Sequence, residues 1–407
     1  MATWSDDRLA ADARRELLED ILPFWRKRAV DERRGGFIAQ MSNDLRLDED
    51  AAKGLILNAR ILWTFSAAYG FTKDEQDRSL ARRACDYLAE RFHDPEHGGY
   101  FWELDPRGRP LDDKKKVYGQ AFCIYALAEY HRAFDAPRAL EQAIAVFRLL
   151  EARCRDPEHG GYLESMSRDW LPLEDMRLSD KDMNEKKSMN NHLHVLEAYA
   201  GLLRVWRDES LADRLRELIV IFKRHILDAG QTHFQHFFDE AWAPRSSNYT
   251  YGHDIEGSWL LCEAAEALGD RRLLDDVRSV AARIARAVLR EGIDADGGLS
   301  YEGRDGKVVD RSREWWPQAE AVVGFYNAWQ LTGESAFRDA SARCWQFIQE
   351  RIVDRVHGEW FWRVSPDGTP DATLPKVSAW KCPYHNGRAC LEIIRRTQTD
   401  TLSRKTT

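Results

Sequence analysis

Polar side chains at the start of an apolar helical segment are the first sign of chemistry in this sequence. Ser188 is a suitable N-cap for a helix that follows it. Asn190 and His194 are four residues apart and therefore share one face, on or next to the apolar stripe. His192 lies two residues before His194 and is predicted to point elsewhere, in a structural role. A buried Asn and His on one face need hydrogen-bond partners or a function.

Other helix starts repeat this pattern. His253 and Glu256, three residues apart, open a second apolar segment, and His385 opens the last one. Arg60 and Tyr118 lie in the first turns of two earlier segments. Three histidines and an arginine from separate helices predict one shared site, provided that the fold brings the helix starts together.

These residue types are compatible with several reactions. Histidine and glutamate are zinc ligands, but the sequence has no HExxH motif, and its one short ligand pair is His253 with Glu256. A nucleophilic Cys382–His385 dyad is disfavoured by the intervening Pro383 and by the lack of an oxyanion-hole motif. Glycoside hydrolysis needs two carboxylates across a cleft and stays open. Its candidate acids are Asp182, Asp254, Glu256 and Glu320.

Proton transfer by histidine fits this set best. An imidazole titrates near neutral pH, so it can accept a proton and return one. Two imidazoles on opposite sides of one carbon could remove a proton from one face and deliver it to the other, which is epimerisation next to a carbonyl. The enediolate intermediate needs fixed hydrogen-bond donors, which Arg60 and a third histidine could supply. Trp316 and Trp380 could form aromatic walls for a sugar ring.

The composition is that of a soluble globular protein. The 407 residues are 43% hydrophobic and 31% charged, with a formal net charge of −8 and no basic stripe, which disfavours nucleic acid as a partner. No apolar run approaches the roughly 20 residues that cross a bilayer, and residues 1–7 lack the features of a secretory signal. Seven scattered cysteines without a CxxC pair indicate reduced thiols, so we expect a cytoplasmic location.

A turn sequence recurs along the chain. Asp-Pro-Glu-His-Gly-Gly-Tyr occupies 94–100 and again 156–162, and looser copies share its order of acid, turn, glycine and aromatic residue. The looser copies begin at Asp31, Asp228, Asp296 and Asp354. Six copies about 60 to 70 residues apart define an internal repeat, which decides the architecture.

Each turn is flanked by two predicted helices of different character. Those before the turns carry charge on one side, as outward-facing helices do, and lie near 8–28, 77–92, 138–153, 208–226, 272–290 and 336–352. Those after the turns are apolar around most of their circumference and lie near 54–69, 117–134, 189–206, 253–268, 316–331 and 384–396.

The alternation predicts an all-α fold, an (α/α)6 barrel of six inner and six outer helices with short β-hairpins at one rim. A superhelical solenoid is the main alternative. In the barrel all six inner helices run the same way, so their N-terminal ends converge on one mouth. We expect a single catalytic domain over 1–407, with a disordered tail at 398–407.

Five segments of the chain resemble those of cellobiose 2-epimerases, which belong to the N-acylglucosamine 2-epimerase superfamily. The segments are 58–63, 189–197, 252–261, 315–320 and 380–388. The resemblance covers nearly the whole chain. It implies an (α/α)6 barrel and an isomerase that opens the reducing-end sugar ring and moves the C2 proton through a cis-enediolate, without a cofactor or metal.

Roles for single residues are also implied by the resemblance. His253 and His385 would be the general acid/base pair, while His194 and Arg60 would hold the carbonyl and enediolate oxygens. Substrate-binding roles fall to Tyr118, Asp182, Asn190, Glu256, Trp316 and Trp380, with Asp182 at the second sugar of a disaccharide. Related cellobiose enzymes tend to carry Thr in place of Asn191 and Ala in place of Gly257.

The implied substrate is a disaccharide with a free reducing end, such as cellobiose or lactose. A mannose 2-epimerase, a mannose isomerase and an N-acylglucosamine 2-epimerase remain alternatives on the same scaffold. We expect no nucleic-acid or membrane partner, and a monomer rather than a dimer.

Overall fold

The computed structural model describes residues 5–405, and the side chains of this range up to residue 398. When continuous helical segments are joined, the described residues form twelve helices. In chain order they are α1 (6–28), α2 (Leu55–Thr72), α3 (75–92), α4 (Val117–Phe134), α5 (Pro137–Arg153), α6 (Met189–Val205), α7 (209–226), α8 (Tyr251–Leu268), α9 (Arg271–Glu291), α10 (Trp315–Thr332), α11 (335–352) and α12 (Tyr384–Lys405). The predicted helices agree with these bounds within a few residues, except that the last extends further.

The even-numbered helices form a closed inner ring. Each packs against the next, and α12 returns to contact α2. The odd-numbered helices pack outside, each against a neighbouring inner helix. Closure of the ring rules out the solenoid and confirms the (α/α)6 barrel. The inner helices are buried on most sides, whereas outer helices such as α9 bury one apolar stripe.

Four outer helices end in, or contain, a short π-helical segment. These segments are Glu16–Ile21, Leu88–Phe92, Phe222–Ile226 and Ile348–Ile352. The last three lead directly into the Gly-containing turns.

Short strands form small antiparallel sheets at the rim, as predicted. They are β1 (Lys53–Gly54), β2 (Glu103–Leu104), β3 (Pro110–Asp112), β4 (Lys115–Lys116), β5 (Ser165–Met166), β6 (Lys187–Ser188), β7 (Phe237–Phe238), β8 (Tyr249–Thr250), β9 (Glu302–Arg304), β10 (Lys307–Asp310), β11 (Arg313–Glu314) and β12 (Arg363–Val364). Several of them directly precede an inner helix, so they fix where that helix starts.

Two buried contacts recur between the turns and the inner helices. The aspartate of a turn accepts a hydrogen bond from a buried lysine near the next inner helix, for example Asp94 from Lys115 at 2.9 Å and Asp156 from Lys187 at 2.6 Å. In addition, the fourth residue of several inner helices accepts a backbone N–H that follows the turn. These fourth residues are Gln120, His192, Asp254 and Gln318, at 2.8–2.9 Å. His192 is therefore structural, as predicted.

The helix α12 is described as far as Lys405. Of the tail that the sequence predicts at 398–407, residues 406 and 407 lie outside the described residues, as do the side chains of 399–405. Disorder there, and a single domain over 1–407, therefore stay predictions.

Candidate active site

The register of the inner helices decides which side chains reach the barrel axis. Second and sixth residues of a helix are four apart and share one face. The residues at the second position of an inner helix that line one cavity are Tyr118, Asn190, Trp316 and His385. Those at the sixth position are Arg60, His194 and Glu256. His253 is the third residue of α8. Since the inner helices are parallel, these faces meet at their N-terminal ends.

The cavity has a volume of about 260 Å³. All ten residues singled out from the sequence line it: Arg60, Tyr118, Asp182, Asn190, His194, His253, Glu256, Trp316, Trp380 and His385. Its other lining residues are Leu178, Ser179, Lys181, Tyr301 and Trp315. The structure thus brings the ten together, while Tyr301 and Lys181 were not singled out from the sequence.

His385 is held by a carboxylate from the neighbouring inner helix. Its Nδ1 lies 2.7 Å from Oε1 of Glu320 on α10. A carboxylate oxygen accepts, so Nδ1 carries the proton and Nε2 is left unprotonated in the neutral ring. Burial, reinforced by the charges of Arg60 and Arg388, lowers the pKa of His385 well below its usual value. The ring is therefore neutral near pH 7.

Arg388 lies behind this pair and joins three inner helices. Its guanidinium donates to Glu197 on α6, to Glu256 on α8 at 2.5 Å and to Glu320 on α10 at 2.7 Å. All of these side chains are almost completely buried. Charge-assisted hydrogen bonds of this kind fix the relative positions of the four helices that carry them.

One guanidinium cannot neutralise three carboxylates, and the pKa values reflect this. Burial, together with the charge of Glu320, raises the pKa of Glu256 to about 7. Burial also raises the pKa of Glu320. Burial also opposes the ionisation of Glu197, but the contacts with Arg388 and His194 outweigh it and lower the pKa of Glu197 to about 2. Glu197 is thus the firmly ionised member.

His194 shares this network. Its Nδ1 lies 2.9 Å from Oε2 of Glu197, three residues on along α6. The ring contacts Tyr118 edge-on, with centroids 4.9 Å apart. With Nδ1 held by Glu197, the other ring nitrogen, Nε2, is the one left to face the cavity.

His253 has different neighbours. Its Nδ1 lies 2.6 Å from the hydroxyl of Thr250, the N-cap of α8, and its ring centroid is 4.6 Å from Trp316. Trp316 also contacts His385, with ring centroids 5.7 Å apart. Burial and the facing imidazoles His236, His194 and His385 lower the pKa of His253 well below its usual value. This ring is also neutral near pH 7.

Arg60 is fixed by contacts on several sides. It donates to the hydroxyl of Tyr118 at 2.8 Å and to the carbonyl of Trp380 at 3.4 Å. Its guanidinium also lies over the rings of Phe122 and Tyr384, at 4.3 and 5.0 Å. A permanent cation is thereby held beside the histidines.

Among the ten residues singled out from the sequence, three buried polar atoms have no hydrogen-bond partner within the described chain. They are Nε of Arg60, Oδ1 of Asn190 and Oε2 of Glu256. An unsatisfied buried donor or acceptor costs about 1–3 kcal/mol. The wall of the cavity therefore contains polar groups that the described chain itself does not satisfy.

Asp182 and Trp380 lie on the outer part of the cavity. One carboxylate oxygen of Asp182 accepts from the backbone N–H and hydroxyl of Ser179, at 2.8 and 2.7 Å. Buried Lys116 anchors the same loop through the carbonyl of Leu178, at 2.8 Å. Trp380 is half-buried and lies 6.0 Å from Tyr118 between ring centroids. An aromatic face and a carboxylate thus lie at the opening of the cavity.

Comparison with known proteins gives consistent matches. The family model of N-acylglucosamine 2-epimerase matches residues 36–388. A cellobiose 2-epimerase of Bacteroides fragilis is 45% identical over 96% of this chain and 99% of its own length. The structure of cellobiose 2-epimerase from Bacillus thermoamylovorans has a TM-score of 0.90 at 40% identity and covers 96% of this chain and 100% of that one. A D-mannose isomerase of Marinomonas mediterranea is 24% identical over 93% of this chain and 95% of its own.

The chain belongs to the N-acylglucosamine 2-epimerase family. It is an epimerase, and hence an isomerase, that handles a small sugar. The described residues include no helix long and apolar enough to cross a membrane.

Within this epimerase the other candidate reactions find little support. Cys382 is fully buried, and burial raises the pKa of its thiol. His385 bonds Glu320 instead of Cys382. Glu256 and Glu320 both bond the same nitrogen of Arg388, so this pair of carboxylates lies on one side of the cavity and does not flank a glycosidic bond. Asp254 bonds His233 and does not line the cavity.

A metal would have to compete with that guanidinium. Ligand atoms of Glu256, Glu320 and His385 lie within 4.8 Å of one another, as in a metal site. However, Arg388 already donates to both carboxylates. The positive charge at this point of the epimerase is supplied by the chain itself.

Asn191 and Gly257, the two positions at which this chain departs from related cellobiose enzymes, are both tightly surrounded. A Cβ on Gly257 would lie 2.3 Å from the ring of Phe234, so alanine there would require that ring to move. Asn191 is fully buried, and its amide donates weakly to the carbonyl of Leu163, at 3.4 Å.

Three residues of the site were not singled out from the sequence, namely Thr250, Glu197 and Arg388. Glu320 was named only as a candidate acid for hydrolysis and not as the partner of His385. A signal for the three did exist, because Thr250–His253, His194–Glu197 and His385–Arg388 are all pairs at i, i+3. The hydroxyl of Tyr384 donates to Glu197, so Tyr384 belongs to the same network.

Proposed function

We propose that this epimerase interconverts glucose and mannose at the reducing end of β-1,4-linked disaccharides such as cellobiose and lactose. The observation that carries the proposal is that His253 and His385 line one cavity as neutral imidazoles. Each has its Nδ1 engaged, and neither Nε2 has a partner among the described residues. Two such bases suit removal and return of one carbon-bound proton.

In the proposed reaction the sugar binds in its ring-opened form. The Nε2 of one imidazole takes the C2 proton, and the electron pair of the C–H bond forms the C1–C2 double bond of a cis-enediolate with charge on O1. The first imidazolium releases its proton to solvent and the second imidazole takes one up from solvent, and this second ring then protonates the opposite face of C2. The carbonyl re-forms, and the configuration at C2 is inverted with no net gain or loss of atoms.

Arg60 and His194 are the proposed partners of the developing negative charge. Arg60 is a fixed cation, and His194 lines the same cavity with its Nδ1 held by ionised Glu197. Preorganised donors of this kind stabilise an enediolate more than the neutral sugar. Tyr118, Asn190 and Glu256 are proposed to bind hydroxyl groups, and Trp316 to stack on the reducing-end ring.

The preference for a disaccharide rests on the outer part of the cavity. Trp380 offers a half-exposed aromatic face, and Asp182 has a carboxylate oxygen that Ser179 does not occupy. We propose that both contact the second sugar. The 45% identity to a cellobiose 2-epimerase supports this assignment.

A monosaccharide 2-epimerase or isomerase acting on mannose is the second candidate. The full-length match to a D-mannose isomerase, at 24% identity, is what favours it. The rates on cellobiose and on mannose separate the two. Asp182→Ala should lower turnover of the disaccharide selectively if the first candidate is correct.

The deciding experiment is an NMR product profile in D2O on cellobiose, lactose, mannose and N-acetylglucosamine. Glucosyl-mannose from cellobiose, with deuterium at its C2, is the expected result. Absence of both the epimer and the label from the two disaccharides would overturn the proposal.

A further inference from the structure

The hydroxyl of Thr250 lies between two imidazoles. Its Oγ1 is 2.6 Å from Nδ1 of His253 and 3.4 Å from Nε2 of His236. The backbone N–H of Thr250 also donates to Nε2 of His236, at 3.2 Å. Thr250 is 5% exposed and does not line the cavity, so it acts only through its neighbours.

The protonation of His236 follows from these contacts. Its Nε2 accepts the backbone N–H of Thr250, so that nitrogen carries no proton and the neutral ring is protonated on Nδ1. Burial lowers the pKa of His236 to about 4, which agrees with a neutral ring. The rings of His236 and His253 are 5.6 Å apart and almost perpendicular.

The unprotonated Nε2 of His236 orients the hydroxyl hydrogen of Thr250. The hydroxyl hydrogen can point at this nitrogen, so the hydroxyl oxygen faces Nδ1 of His253 as an acceptor. His253 must then carry its proton on Nδ1. The Nε2 of His253 is left unprotonated, as a base requires.

We propose that Thr250 and His236 are positioning residues that hold His253 in its Nδ1–H tautomer, with Nε2 directed at the substrate. They would do for His253 what Glu320 does for His385, but with an uncharged acceptor. An uncharged acceptor stabilises the imidazolium of His253 less than a carboxylate would, so this ring returns its proton more readily. The inference rests on the proposed acid/base roles of the two histidines.

The test compares Thr250→Val, which keeps the shape of the side chain but removes the hydroxyl, with Thr250→Ser, which retains it. We expect Thr250→Val to lower kcat by about 10- to 100-fold, which is less than the roughly 10²- to 10⁴-fold worth of general acid–base catalysis because the imidazole itself remains. Thr250→Ser should restore most of the activity. Thermal unfolding and circular dichroism check that both variants fold.

Exchange at C2 in D2O provides a readout that a merely structural role would not change. From the epimer that His253 deprotonates, Thr250→Val should lose exchange and epimerisation together. From the other epimer, His385 still removes and returns the proton, so deuterium should enter the substrate faster than product forms. Equal loss of both from both epimers, or a wild-type ratio, would overturn the inference.

The tautomer can also be observed without turnover. In the full-length protein with ¹⁵N-labelled histidine, two-bond ¹⁵N–¹H correlation should show Nδ1–H for His253 and a shift towards Nε2–H in Thr250→Val. His192 serves as the internal reference, because its Nδ1 contacts the carbonyl of Ser188. An unchanged His253 signal would refute the inference alone, whereas absence of C2 exchange in the wild type would refute the proposed function.

Discussion

The surroundings of His253 and of His385 differ although both rings face the same cavity. The Nδ1 of His385 meets the carboxylate of Glu320, behind which Arg388 joins two further buried glutamates. The Nδ1 of His253 meets only a hydroxyl, that of Thr250. One histidine is therefore embedded in a charged network and the other in an uncharged one.

The two surroundings also have different origins. Thr250 is three residues before His253 and caps the same helix, so that contact is local in sequence. Glu320 comes from the adjacent inner helix and depends on closure of the ring. The pair thus shows two ways of fixing a tautomer, and it predicts a stronger base at His385 and a stronger acid at His253.

Replacing His385 by Asn should have the largest effect. The loss of one acid/base group is expected to lower kcat/KM for epimerisation by about 10³-fold. His192→Gln is the matched control and should stay close to wild type, because Gln120 and Gln318 make the equivalent contact in other repeats. Activity assays with thermal unfolding check both variants, and an active His385→Asn variant would contradict the assigned role.

Replacing Arg388 by Leu should affect the charged side of the site and the stability of the barrel. It leaves buried carboxylates without their cation, which costs about 3–5 kcal/mol of unfolding free energy. Arg132→Leu, which removes an exposed pair with Glu129, should cost less than about 1 kcal/mol. Denaturant unfolding measures both, and equal small losses would show that the network does not hold the helices together.

Glu320→Gln tests the partner of His385 directly. A side-chain amide can stabilise the wrong tautomer of an imidazole, so kcat should fall by about 10²-fold or more. The defect in C2 exchange should mirror that of Thr250→Val and appear with the opposite epimer. If both variants impair the same epimer, the two histidines do not act on opposite faces.

The pH dependence of kcat/KM should show the smallest of the expected effects. A base must be unprotonated, and the pKa values of His253 and His385 are lowered. The acid limb of kcat/KM should therefore lie well below pH 6.5, where activity falls as pH drops through the lowered values. These buried neutral rings contribute their full stability above the unfolded pKa of about 6.5 and lose it as pH falls below that value. An acid limb at or above pH 6.5 would contradict this.

Much of the architecture was predictable because the signals are repetitive. Turn sequences near 94–100 and 156–162, apolar periodicity and the contrast between helix types indicate a ring of paired helices. The cavity-lining residues on the inner helices were predictable for the same reason, since parallel inner helices bring their first turns to one mouth.

The sequence by itself determined the helices, their order, and which helix starts carry polar side chains, because periodicity and capping are local properties of the chain. Only the tertiary structure decided that Glu320 bonds His385, that Arg388 joins three glutamates, and that His236 faces Thr250. Glu320–His385 and the bonds of Arg388 span dozens of residues, and His236–Thr250 spans a loop between two strands. Their distances are set by how the ring closes and by how neighbouring helices rotate about their axes, which no local pattern records.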